Sequence, residues 1–107
     1  MTEGLEFTIE EKEETLALYG AVSRETACEM AQGVRLSAPA DVGIATTGIA
    51  GPEGGTPEKP VGLVYVAVSG PGGTVCEELR LKGDRNRVRE LAACHALNIL
   101  RNYLTDL

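Results

Sequence analysis

The sequence predicts an α/β domain in which about three largely antiparallel strands are flanked by helices, in the order α-α-β-β-β-α. Three observations carry that prediction. The stretches around Ser23–Val34 and Arg85–Tyr103 place apolar residues at helical spacing. Between them, "DVGIATTG", "VGLVYVAV" and "VCEELRL" are apolar or alternating runs of strand length. The connections between the runs are short and rich in Gly and Pro, and strands joined in that way are normally antiparallel neighbours.

Taken in order, Thr8 to Glu11 reads T-x-x-E, a capping box opening an acidic helix that runs to about Tyr19 and stops at Gly20. Its apolar face is thin, chiefly Ile9 and Leu16, so it is weakly held unless something outside the chain packs on it. Glu10, Glu11, Glu13 and Glu14 form a solvated face. Ser23 caps a second helix, in which Ala27, Met30, Ala31 and Val34 follow at i, i+3, i+4, i+7 as an inward stripe. Ser37, Ala38 and Pro39 end it. The first strand begins at Asp41. The second, Val61 to Val68, is apolar almost throughout and is expected to be buried on both faces. "SGPGGT" is a turn cluster, and the third strand, Val75 to Leu81, alternates, leaving one side exposed.

Gly83 and Asp84 introduce the final helix, about Arg85 to Tyr103, with Asp84 as its cap. At 100° per residue, Arg87, Glu90, Asn98, Arg101 and Thr105 share a wet face. Ala92, Ala96, Leu100 and Tyr103 lie opposite, toward the sheet. Arg85 and Arg89 project on that inner side, one turn apart, at the start of the helix. His95 falls at the border of the faces and reads as a solvated or satisfied histidine.

The 107 residues make one domain, 1–107, whose core must be economical: aromatic residues amount to one Phe and three Tyr. A net charge of −6 argues against a general nucleic-acid or membrane-surface role, while leaving room for a local anion site. No stretch is long enough to span a bilayer, and "MTEGLEFTIEEKEE" has neither the basic nor the apolar region of a signal peptide. Cys28, Cys76 and Cys94 are odd in number and show no metal-ligand spacing, so they read as reduced, buried thiols in a cytoplasmic protein. Neither a metal nor a cofactor is expected.

The segment "TTGIAGPEGGTPEKPVG" (Thr46 to Gly62) holds the chemistry. Gly48, Gly51, Gly54 and Gly55 let a ligand approach bare backbone, and successive N–H groups in such a turn form an anion-binding concavity. Pro52, Pro57 and Pro60 restrict the loop, the threonines offer hydroxyls and Lys59 a cation. A rigid crossover that binds nothing explains the same composition equally well. The order of a P-loop is absent. Arg85 and Arg89, at a helix N-terminus where the dipole is positive, tilt the balance toward a phosphate or carboxylate site. The alternative, pairing with Asp84, Glu90 or another acid, weighs as much as the ligand reading for Arg89 and less for Arg85.

"GAVSRETACEMAQGVR" (Gly20 to Arg35), "TGIAGPEGGTPEKPVGLVYVAV" (Thr47 to Val68) and "GDRNRVRE" (Gly83 to Glu90) resemble, in order and separation, the CinA C-terminal domain family. That family includes the nicotinamide mononucleotide deamidases, which hydrolyse a carboxamide to a carboxylate and ammonia. The resemblance implies a three-layer α/β/α sandwich with a mixed sheet, of which the three strands here are the last. It implies that Thr47 supplies a hydroxyl to the reacting group. It further implies that Gly48 to Gly55, with Ala50, Gly51 and Gly54 between them, surround nicotinamide mononucleotide or a related nucleotide, with Arg85 near its phosphate; Lys59 and Arg89 join them as substrate-binding candidates from the loop composition and the helix wheel. The family's S-C-T-G-G segment, whose serine is taken as the nucleophile, does not occur; no Ser-Cys pair exists in the chain. Serine-based amide hydrolysis needs that hydroxyl beside a base and an oxyanion donor pair. The expectation is therefore a truncated family domain, weakly active or inactive alone. The alternatives are a non-catalytic pyridine-nucleotide-binding module and a purely structural oligomerising domain. A homo-oligomer is expected, because "DVGIATTG" would lack a neighbour on one side and carries only Asp41 to protect that edge.

Overall fold

The computed structural model describes residues 20–37 and 40–107. The acidic helix expected at Thr8–Tyr19 lies outside them. The elements are helix α1 (Arg24–Ser37), strands β1 (Gly43–Gly48), β2 (Leu63–Gly70) and β3 (Gly73–Arg80), and helix α2 (Arg85–Thr105). The sheet order is β1-β2-β3, and both pairings are antiparallel.

Period-2 alternation divides the sheet into two differently built faces. Ala45 of β1 and Ala67 of β2 meet Ala27 and Ala31 of α1, with Met30, Tyr65, Cys28 and Cys76 around them. Small side chains let α1 lie close to the sheet. Gly43 marks the tightest approach: a Cβ there would sit 2.3 Å from the Ala31 carbonyl oxygen. The opposite face carries Val64, Val66 and Val68, covered by Val88, Ala96, Ile99 and Tyr103 of α2. The result is a helix–sheet–helix stack with β2 buried on both sides, as its sequence predicts.

The caps fall where expected. Ser23 Oγ accepts the Thr26 N–H at 3.1 Å, and Asp84 accepts the Arg87 N–H at 2.9 Å. Strand limits differ from the sequence reading by about two residues, for local reasons. Gly62 has φ +96 and its N–H bonds to the Ile49 carbonyl, so β2 begins at Leu63 rather than Val61. In "SGPGGT" only Pro71 and Gly72 turn; Ser69 pairs with Thr74 and Gly70 with Gly73, which lengthens both strands. Along α2 the buried stripe is Val88, Ala96, Ile99 and Tyr103, with Ala92 and Leu100 half-buried beside it.

Candidate nucleotide site

Where β1 ends, the chain enters the glycine-rich loop, and the first turns of α2 stand over that point. Between them lies a cavity of about 230 Å³, open to solvent. Its walls are Thr46, Thr47, Gly48 and Ala50 from β1 and the loop, Val64 from β2, and Val88, Arg89, Ala92 and Ala93 from α2. Gly48 suits this place because any side chain there would meet Val64 and the Leu63 carbonyl, at 2.7 and 2.8 Å from its Cβ. Ala92 and Ala93 keep the helix surface low enough to leave the space.

Arg89 is the cationic side chain of this cavity. Arg85 sits one turn earlier and reaches across to the loop, its Nη1 donating to the Gly51 carbonyl at 3.2 Å. That bond ties the start of α2 to the loop and leaves the other guanidinium N–H groups available. Neither arginine forms an ion pair among the described residues. Asp84 caps the helix through its own carboxylate, and Glu90 lies 3.8 Å from Arg87.

The Thr47 hydroxyl donates to the Ala21 carbonyl at 2.7 Å, which pins the residues leading into α1 against the end of β1. Its proton is thus engaged on the α1 side of the sheet, the face it shares with Ala45, while the next residue back, Thr46, faces α2. Gly51 is buried, with φ +85, and a Cβ there would lie 2.5 Å from Val61 Cγ1. The glycine is needed for the loop's own shape. Gly54, Gly55 and Lys59 are not in the cavity wall. The Thr56 N–H bonds to the Lys59 carbonyl at 2.9 Å and the Lys59 N–H to Thr56 Oγ1 at 3.0 Å, a self-contained turn. The Lys59 ammonium turns toward Gly20, where an added Cβ would stand 3.0 Å from Nζ.

The structure therefore brings together Thr47, Gly48, Ala50 and Arg89, straps Gly51 to them through Arg85, and places Gly54, Gly55 and Lys59 apart. Sequence reasoning counted Thr46 among the threonines offering a hydroxyl but missed Val64, Val88, Ala92 and Ala93 as wall residues. The adjacent pair of alanines one turn beyond Arg89 was the available signal. Chemically, the arrangement offers a guanidinium, threonine oxygens and backbone beside an apolar floor, a setting for an anionic ligand with a planar or apolar part.

The chain is similar in sequence and in fold to known proteins. The profile of the CinA C-terminal domain matches residues 6–104, and the chain belongs to that family. A protein of Acetivibrio thermocellus named for competence-damage induction is 58% identical over 96 residues, which are 90% of this chain and 23% of that protein. A CinA-like protein of Kosmotoga olearia is 55% identical over 96 residues, with the same shares covered. Among solved structures, a CinA superfamily protein of Klebsiella pneumoniae superposes with a TM-score of 0.83 at 37% identity, over 88% of this chain and 59% of that one. The competence/damage inducible protein CihA of Agrobacterium tumefaciens gives 0.80 at 43% identity, over 83% and 55%. The chain thus spans about a quarter of its curated relatives and little more than half of the solved domains.

Proposed function

We propose that the chain holds a pyridine nucleotide, nicotinamide mononucleotide in the first instance, as the nucleotide-binding part of a CinA-type amidohydrolase, and that alone it hydrolyses the carboxamide weakly or not at all. The observation that carries this reading is the cavity at the end of β1, walled by Thr47, Gly48 and Arg89 and strapped through Arg85 to Gly51. A guanidinium beside exposed backbone suits a phosphate monoester, and the apolar floor of Val64 and Val88 suits an aromatic ring. At about 230 Å³ the space is smaller than the ~300–1,000 Å³ of complete small-molecule pockets, in keeping with a partial site. No serine stands in its wall: Ser23 is a helix cap, and Ser69 lies at the other end of β2.

Calorimetry with nicotinamide mononucleotide tests the binding. Arg89→Ala and Arg85→Ala should each weaken it by about 1.5–3 kcal/mol, the range for a hydrogen bond to a charged group. Arg87→Ala, on the wet face beside Glu90, should change almost nothing. Equal losses from all three substitutions would reduce the effect to net charge and remove the site. An ammonia-release assay on the same samples should stay near background; rapid turnover would refute the catalytic half of the reading.

A further inference from the structure

Cys28 and Cys76 lie far apart in the chain and meet where α1 crosses β3. Two contacts fix that crossing. Arg24 Nη1 donates to the Cys76 carbonyl at 2.7 Å, and Gln32 Nε2 donates to Thr74 Oγ1 at 3.0 Å. Arg24, Cys28 and Gln32 recur at every fourth position and form one stripe along α1. Thr74 and Cys76 are alternate residues of β3 and share its α1 face. Cys28 is therefore held over β3 from both sides, one turn from each tether. The height of the helix suits the pair as well. A disulfide requires Cα atoms ~4.4–6.8 Å apart, closer than a layer of large side chains permits. Here the layer is Ala27 and Ala31 on Ala45 and Ala67, and Gly43 has no room for a Cβ beneath the Ala31 carbonyl. The two thiols stand side by side, hydrogen-bonded to each other, and both are half-buried.

We propose that Cys28 and Cys76 are an oxidisable pair, which a low-molecular-weight disulfide such as oxidised glutathione converts to an intramolecular disulfide that staples α1 to β3, and which excess thiol restores. The Cys28 thiolate attacks one sulfur of the small disulfide. The S–S bond of that reagent breaks, one small thiol leaves, and Cys28 carries the other half as a mixed disulfide. Cys76 then gives its proton to solvent and attacks Cys28 Sγ. The protein S–S bond forms and the second small thiol leaves. Two protein thiols are oxidised, and one small disulfide is reduced to two thiols. Cys76 is the resolving partner because burial holds its proton on. It is a poor first attacker, but it has only to reach a sulfur already beside it. Of the charged groups around Cys76, Arg24 favours its thiolate and Glu25 opposes it. Cys94 lies on α2, across the sheet from the pair, and takes no part.

The test uses the full folded chain with Cys94→Ser, a change at an exposed position that leaves the pair as its two thiols. Oxidised glutathione should remove both thiols and leave no glutathione bound. Peptide mapping should join the Cys28 and Cys76 peptides, and dithiothreitol should restore both thiols. The oxidised chain should unfold at a higher urea midpoint than the reduced one. The link should form faster in the folded chain than in urea, because the fold supplies the proximity. Adding Cys76→Ser should stop the reaction at a stable glutathione adduct on Cys28. In the chain with both cysteines, that same stable adduct beside a free Cys76 overturns the proposal. So does a link between two chains, a link that forms only in urea, or an oxidised chain whose urea midpoint does not exceed that of the reduced one.

Discussion

The Tyr103 hydroxyl closes the corner where the β2–β3 hairpin meets the last turn of α2. It accepts the Gly72 N–H at 2.9 Å and donates to the Gly73 carbonyl at 2.8 Å, from a ring only 9% exposed. Tyr103→Phe would leave both backbone groups short of a partner in a half-buried place. A loss of about 1–3 kcal/mol is expected, read as a lower urea midpoint with an unchanged slope. Gly51 is the second residue on which much rests. Its positive φ costs a side chain roughly 1–2 kcal/mol, and the collision with Val61 adds to that. Gly51→Val should therefore destabilise the whole domain as well as block backbone access. The sequence alone treats the position as an access route whose loss spares the fold, because neither φ nor the Val61 contact is visible in the letters. The distinguishing measurement is denaturant unfolding of Gly51→Val without ligand: a midpoint equal to the parent's would return the glycine to a pure access role.

At the scale of elements, α2 shows what pattern can and cannot supply. The Asp84 cap and the inward positions of Ala96 and Tyr103 follow from spacing and residue type. Val88 and Ile99 are as deeply buried, yet the sequence reading passed them over, because a stripe of Ala92, Ala96, Leu100 and Tyr103 fits 3.6 periodicity as well. Only the position of the sheet decides between stripes that differ by a small rotation. The valines of β2 fill one face and Leu63, Tyr65, Ala67 and Ser69 the other, which places the axis of α2 over Val64, Val66 and Val68. Arg85 and Arg89 were legible as a pair near a helix start. Their division of labour was not, since it depends on where the loop carbonyl of Gly51 lies. Val88→Ala is the direct check on the stripe. Val88 is 1% exposed and meets the sheet valines, so its truncation should cost about 1–3 kcal/mol. Leu100→Ala, at a half-buried position, should cost less.

For the whole molecule, the two layers respond differently to pH. The α1 layer is built on alanines and closes over Cys28 and Cys76, residues far apart in the chain that the fold makes neighbours. Burial first, and then the adjacent Cys28 thiol, push the Cys76 thiol up to about 11 from an ordinary 9.0. Burial, and then the hydrogen bond to Glu78, raise Tyr65 in the same layer. In both cases the folded chain keeps its proton at a pH where the unfolded chain has begun to lose it. The stability these groups contribute is complete below about pH 9 and falls as pH rises toward 11. The α2 layer, built on valines and Tyr103, has no cysteine in its core. Alkaline unfolding should therefore begin on the α1 side. Urea midpoints measured across that window should decline in the parent and decline less in Cys76→Ala, where of these two raised groups Tyr65 is left. Alkylation gives an independent reading: Cys94, expected from the sequence to be buried, lies on the exposed side of α2 and should react first near neutral pH, and half-buried Cys76 last. Equal labelling rates, together with a flat alkaline midpoint, would mean that α1 does not seal the thiols and that the alanine layer is open in solution.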